Sequence, residues 1–145
     1  MKISELMTKD VRTLAPDTPV SQAVALLVEL KISGLPVVDA SRKLVGIFTE
    51  KDVLKAVLPS YVAQVGPFVY ENSPQTIKNK VAKVALTRVG DLMQRDVVKA
   101  GVATSVSEVA RIMVTQNVRR VPVVDGDGKI AGIVSRSDVL RHLLT

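Results

Sequence analysis

The sequence predicts a mixed α/β fold built from two copies of one strand–helix–strand–strand–helix unit. Three observations carry this. "GIFTEKD" at 46–52 returns as "GIVSRSD" at 132–138, an offset of 86 residues. At that offset "ISELMTKDV" falls on "VGDLMQRDV", "LPVVD" on "VPVVD" and "DVLKAVL" on "DVLRHLL" without a gap, and about a third of the aligned positions are identical. In each copy the apolar residues change from helical spacing to short Val/Ile runs and back.

In the first copy the long helix is expected to start with Thr18 as N-cap and Pro19 in its first turn. Val20, Ala23, Val24, Leu27 and Leu30 then share one face, and Gly34 supplies a stop. In the second, Thr104 or Ser105 caps, Ser105 with Glu108 fits a capping box, and Val106, Val109, Ala110 and Met113 form the stripe. "LPVVDASRKLVGIF" and "VPVVDGDGKIAGIV" read as hairpins of two short strands around a polar turn. The final helices follow Thr49 and Ser135.

The organisation is therefore repeat 1 at 1–58, a connecting segment at 59–88 and repeat 2 at 89–145. The connecting segment has no counterpart. It holds Tyr61, Phe68 and Tyr70, and reads as a loop or broken helix lying on a surface. An amphipathic helix follows, with Ile77, Val81 and Val84 on one face and a basic opposite face.

Composition narrows the function classes. Hydrophobic residues make up 47% of the 145 and aromatics only 3%, so the core is aliphatic. There is no cysteine, which removes disulfides, thiolate nucleophiles and Cys-ligated metals and suits a reducing cytoplasm. "MKISELMTKD" has no apolar core of a signal peptide, and no run approaches the roughly 18 apolar residues of a membrane span. The net charge of +6 points to an anionic partner. Half of that excess lies in 59–88, where Lys78, Lys80, Lys83 and Arg88 face a single acid, Glu71.

The repeated phrase has two readings. Thr49 with Asp52, and Ser135 with Asp138, fit a capping box before an apolar helix. The same geometry suits a nucleotide: helix N–H groups take a phosphate, a carboxylate takes ribose hydroxyls, and the preceding glycine lets a ligand approach the strand. His142 is the only histidine and sits at a helix end, so neither a Ser-His-Asp triad nor a His/Cys metal cluster is available. "DGDG" at 125–128 lacks the further ligands of a calcium loop and reads as a hairpin turn.

The pattern of "VPVVD"-type and "GIFTEKD"-type phrases, complete and in register in both copies, resembles the CBS domain, named for cystathionine β-synthase. The resemblance covers the chain except 59–88. It implies two β-α-β-β-α units related by a pseudo-twofold axis and packed through their sheets. It also implies a regulatory module, not an enzyme, that binds AMP, ADP or ATP, with S-adenosylmethionine as a further ligand. No cofactor or metal is implied.

In the family each site is shared between repeats. One site would join Thr49 and Asp52 to Val97, Val98, Val118, Arg119, Arg120, Val121 and Pro122. The other would join Ser135 and Asp138 to Val11, Thr13, Ile32, Ser33, Gly34, Leu35 and Pro36, with Arg12 or Arg136 as phosphate partners. Two arginines stand at 119–120 where Ser33 and Gly34 stand in the first copy, which predicts unequal sites. The apolar final helices, and the family's habit of pairing modules through them, imply a homodimer acting on an unidentified protein. The rival expectation is a nucleic-acid-binding protein that uses the basic central segment; a membrane partner is not expected.

Overall fold

A computed structural model of the chain describes residues 1–58 and 74–145. The aromatic stretch with Tyr61, Phe68 and Tyr70 lies outside the described residues. In chain order the elements are a 3-10 turn Ile3–Glu5, α1 Val20–Leu30, β1 Gly34–Val38, β2 Leu44–Thr49 and α2 Glu50–Val57. Then come α3 Pro74–Leu86, the single turn α4 Val89–Leu92, β3 Ala100–Gly101, α5 Val106–Thr115, β4 Arg120–Val124, β5 Ile130–Ser135 and α6 Arg136–Leu144. The mixed α/β class and the repeated order are those expected. No described helix is long and apolar enough to cross a membrane.

Two compact units result, and neither is a contiguous repeat. The first comprises Met1–Thr13, Val38–Val45 and Asp96–Thr145; the second comprises Leu14–Val37 and Gly46–Arg95. Each repeat gives its opening segment to the unit formed by the other. In the first unit Ile3 N–H donates to the Thr104 carbonyl at 2.8 Å, and Thr8 and Ile133 exchange two backbone bonds of 2.8 and 2.9 Å. In the second unit Val89 N–H donates to the Thr18 carbonyl at 2.8 Å, and Gln94 and Ile47 exchange two of 2.8 and 2.9 Å. Every pair in one set lies 86 residues from its counterpart in the other.

The core of the first unit is Ile3, Ala100, Val106, Val109, Met113, Val121, Val123, Val134 and Val139. Its sheet has the order β3-β4-β5, with β3 parallel to β4 and β4 antiparallel to β5. In the second unit Leu14, Val20, Ala23, Leu27, Leu35, Val37, Phe48, Val89 and Met93 are buried, and Phe48 is fully enclosed. The sheet here is β1-β2, with a parallel bridge from Leu14 to Val37 standing where β3 pairs with β4 in the other copy. The stripes of α1 and α5 face inward through Val20, Ala23 and Leu27, and Val106, Val109 and Met113.

Three local expectations change. The N-cap of α1 is Pro19, not Thr18, and no side chain caps it; the Val20 N–H goes instead to the Thr87 carbonyl. The stop is Lys31, not Gly34: Lys31 adopts the left-handed conformation at φ 55°, and Ile32 N–H closes onto the Leu27 carbonyl at 3.1 Å. Asn117, its counterpart, does the same at φ 52°, with Val118 N–H on the Met113 carbonyl. Ser105 caps α5, but Glu108 pairs with Arg111 at 2.5 Å instead of completing a box. That hydrogen bond holds the Glu108 carboxyl below its usual range and raises Arg111. In α3, Ile77 and Val81 are exposed and Val84 is half-buried.

Candidate functional site

Both copies of the repeated phrase end a strand and start a helix, and both form capping boxes. In the second unit the Asp52 Oδ2 accepts from Thr49 N–H at 2.8 Å and from Thr49 Oγ1 at 3.0 Å, while Asp52 N–H returns to Thr49 Oγ1 at 3.4 Å. In the first unit Asp138 Oδ2 accepts from Ser135 N–H at 2.9 Å, and Asp138 N–H donates to Ser135 Oγ at 3.2 Å. The structural reading of these residues is therefore correct. It does not exhaust their chemistry, because each carboxylate keeps a second oxygen, Oδ1.

The two Oδ1 atoms meet different groups. Asp52 Oδ1 accepts from the amide Nε2 of Gln94 at 3.1 Å. Asp138 Oδ1 pairs with the Arg141 guanidinium, one helical turn on. Asp52 is buried at 8% exposure, and among the described residues no ion pair reaches it. Neither Gln94 nor Arg141 was among the expected site residues. Arg141 was readable as the residue three positions after Asp138 on a helix. Gln94 was not, since nothing in its neighbourhood of the sequence says that the opening segment of one repeat lies on the other.

Each helix start lies beside the strand entry of its own repeat. Glu50 N–H donates to the Ser33 carbonyl at 2.8 Å, and a Cβ on Gly34 would fall 2.8 Å from Thr49 Cγ2. Ile32, Ser33 and Gly34 are thus packed alongside Thr49. In the other copy Arg136 N–H donates to the Arg119 carbonyl at 3.0 Å, Arg120 lies opposite Ser135 in the β4–β5 register, and Arg136 Nε reaches the Val118 carbonyl at 3.0 Å. Arg136 also bonds the Asn117 side chain at 3.3 Å, so its guanidinium is already engaged, whereas Arg119 and Arg120 are exposed.

Leu35, Pro36, Val121 and Pro122 are buried. Their side chains belong to the cores, the Pro36 carbonyl accepts from Leu14 N–H at 2.9 Å, and Val121 and Pro122 lie opposite Val134 and Ile133 in the β4–β5 ladder. Val97 and Val98 are half-buried just before β3. Val11 is half-buried, and Thr13 Oγ1 accepts from Arg42 at 3.3 Å. Val11 and Thr13 share the first unit with Ser135 and Asp138, while Ile32–Pro36 belong to the second unit with Thr49 and Asp52.

The repeated glycines have a role that differs from the expected one. A Cβ on Gly46 would lie 2.6 Å from Met93 Sδ and 2.9 Å from the Gln94 carbonyl oxygen. On Gly132 it would lie 2.5 Å from Met7 Sδ and 2.8 Å from the Thr8 carbonyl oxygen. The space beside each strand is filled by the opening segment of the other repeat, not kept open for a ligand. Among the described residues no group of three His, Cys, Asp or Glu is placed to hold a metal.

Known proteins share this fold. The CBS domain family matches residues 3–59 and 89–145. The chloroplastic CBS domain-containing protein CBSX1 of Arabidopsis thaliana is 35% identical over 98% of this chain, which spans 64% of the length of that protein. The crystal structure of CBSX2 in complex with AMP superposes with a TM-score of 0.76 at 31% identity, covering 99% of this chain and 96% of that one. The CBS domain pair of protein MJ0100, in complex with 5-methylthioadenosine and S-adenosyl-L-methionine, gives 0.70 at 28% identity, covering 99% and 95%.

Proposed function

Because the chain belongs to the CBS domain family and carries two such domains in tandem, we propose that it is a regulatory module for adenine nucleotides, without catalysis of its own. One observation carries the reading. In both repeats a hydroxyl and a carboxylate are held rigidly at a helix N-terminus, with the carboxylate Oδ1 turned away from the cap. Such a carboxylate accepts ribose hydroxyls, and the helix N–H groups and dipole favour a phosphate. The relatives crystallised with AMP and with S-adenosyl-L-methionine support an adenosyl ligand. AMP, ADP and ATP are the ligands proposed, with S-adenosylmethionine as a further one.

Thr49 and Asp52, and Ser135 and Asp138, are the proposed ribose-binding pairs. Arg119 and Arg120, exposed and fork-shaped, are the proposed phosphate contacts. Regulation follows from differential affinity: the ligand biases whichever arrangement of the module it binds better. Zero cysteines fit a reducing compartment.

Thermal unfolding in the presence of each ligand tests the reading. At a hundred times its dissociation constant a ligand adds roughly 2.7 kcal/mol per site, a shift of several degrees for a chain of this size. The absence of any shift with AMP, ADP, ATP or S-adenosylmethionine at millimolar concentration would sink the proposal. Binding to nucleic acid through the basic α3 would instead show as affinity that collapses steeply with salt.

A second copy of the chain is the proposed partner of the outer helices. Val28 and Val114 are 72% and 80% exposed, and Leu54 and Leu140 are 58% and 55% exposed. Each pair is separated by the repeat offset, so the same apolar surface occurs once in each unit. Burying about four such side chains per protomer releases several kcal/mol. Sedimentation should show a dimer that Leu54→Glu with Leu140→Glu converts to monomer. A monomeric wild type at micromolar concentration would contradict this.

A further inference from the structure

We propose that Gln94 is a positioning residue for the Asp52 carboxylate and through it sets the ribose selectivity of the adenosyl ligand; the inference rests on the reading above. Gln94 reaches Asp52 only because the opening segment of repeat 2 lies on the unit of repeat 1. Its backbone is fixed first: N–H and C=O both pair with Ile47, at 2.8 and 2.9 Å, and Gly46 leaves room for that approach. From this anchored position the amide donates to Asp52 Oδ1 at 3.1 Å. The other oxygen, Oδ2, is already taken by Thr49 N–H and Oγ1 at 2.8 and 3.0 Å.

Three neutral donors therefore grip both oxygens of one buried carboxylate. The plane of the group is fixed, and its charge is not cancelled. A carboxylate oxygen has two acceptor directions, and Oδ1 uses one of them for Gln94. The direction left over is aimed by the amide, so a ribose hydroxyl meets a charged acceptor whose orientation is already set. Ordering that costs nothing at the moment of binding raises affinity.

The other copy shows the contrast. The residue at the offset from Gln94 is Thr8, which is too short to act as Gln94 does although its backbone pairs with Ile133 in the same way. There the Oδ1 of Asp138 goes to Arg141, a cation 74% exposed on its own helix. Arg141 offers a competing donor to the same oxygen and offsets its charge. Lys55 stands at the matching place after Asp52, and among the described residues no ion pair joins the two. One repeat thus presents a fixed, uncompensated acceptor, and the other a salt-bridged one.

Calorimetry with AMP and with 2′,3′-dideoxyadenosine monophosphate, which lacks both hydroxyls, tests the assignment on the full chain. Gln94→Met keeps the shape and removes the donor. AMP affinity should fall roughly tenfold, because the ribose hydroxyl then meets a carboxylate no longer aimed at it and its bond to that charged group weakens. Affinity for the dideoxy ligand should stay within about twofold. Gln94→Glu places an acceptor of the same shape against the carboxylate and should lower AMP affinity further, again sparing the dideoxy ligand. A parallel fall for both ligands, or no fall for either, overturns the positioning role. If the wild type itself does not distinguish the two ligands, the ribose reading of Asp52 fails, and this inference with it. If the wild type distinguishes them and Gln94→Met does so equally well, only the inference fails.

Discussion

Gly46→Val is expected to cost about 3 kcal/mol of stability, and Gly132→Val as much or more. At both positions the added Cβ alone would already sit below 3 Å from a backbone carbonyl oxygen as well as from a methionine side chain. A methionine is flexible and moves aside at little cost. The carbonyl of Gln94 or Thr8 does not, because each of these residues exchanges two backbone bonds with the strand beside it. Relief would require lifting the exchanged segment off the strand, and with it Val89 or Ile3, both fully buried. Denaturant unfolding of Gly46→Ala, Gly132→Ala and the two valine variants would measure this. Gly126→Ala is the control: nothing lies within 4 Å of its added carbon, and a change within about 0.5 kcal/mol is expected. Gly46→Ala and Gly126→Ala behaving alike would mean that the exchanged segment does not lie on the strand as described.

The second large effect is on binding. Asp52→Ala should remove the tighter phase of adenine-nucleotide binding, and Asp138→Ala should leave it nearly intact. Each ribose hydroxyl bonded to a carboxylate contributes roughly 1.5–3 kcal/mol, or tenfold and upwards in affinity. Asp52 offers this without a competing cation among the described residues, whereas Asp138 shares its Oδ1 with Arg141. Loss of the carboxylate also removes a cap worth about 1–2 kcal/mol and strips the acceptor from Thr49 and Gln94. Asp52→Asn separates the two roles, since its amide oxygen still accepts at the cap while the charge is gone. It should recover most of the stability and little of the affinity. Arg119→Ala with Arg120→Ala should lower ATP affinity more than adenosine affinity, because the lost contacts are to phosphate. The reverse outcome, with Asp138→Ala abolishing the tight phase, would assign the stronger site to the salt-bridged carboxylate and refute the argument from charge.

Much of this chain is decided by local sequence. The two hairpins and the stripes of α1 and α5 are short-range patterns, and the chain writes each of them twice, 86 residues apart. The capping boxes at Thr49–Asp52 and Ser135–Asp138 are equally local, because a helix start needs acceptors within three residues of itself. Helix ends were less legible. Lys31 takes a left-handed backbone that glycine adopts at less cost, since the Schellman bond from Ile32 to Leu27 and the strand that follows fix where the chain must turn. Likewise α1 begins without a side-chain cap because its first N–H finds the Thr87 carbonyl, 67 residues later in the chain.

What only the tertiary structure decided is which repeat each opening segment serves. Ile3 and Val89 read alike in sequence, and either would fill the core of its own repeat as well as that of the other. Hydrophobic burial has no direction and does not distinguish the two. Backbone hydrogen bonds do: those of Thr8 with Ile133 and Gln94 with Ile47 commit each segment to the other repeat. From that exchange follow the need for glycine at 46 and 132 and the amide of Gln94 on Asp52. The difference between two carboxylates that the sequence presents as equals follows in turn, because a side chain 42 residues away on the chain bonds one of them and a neighbour on the same helix bonds the other.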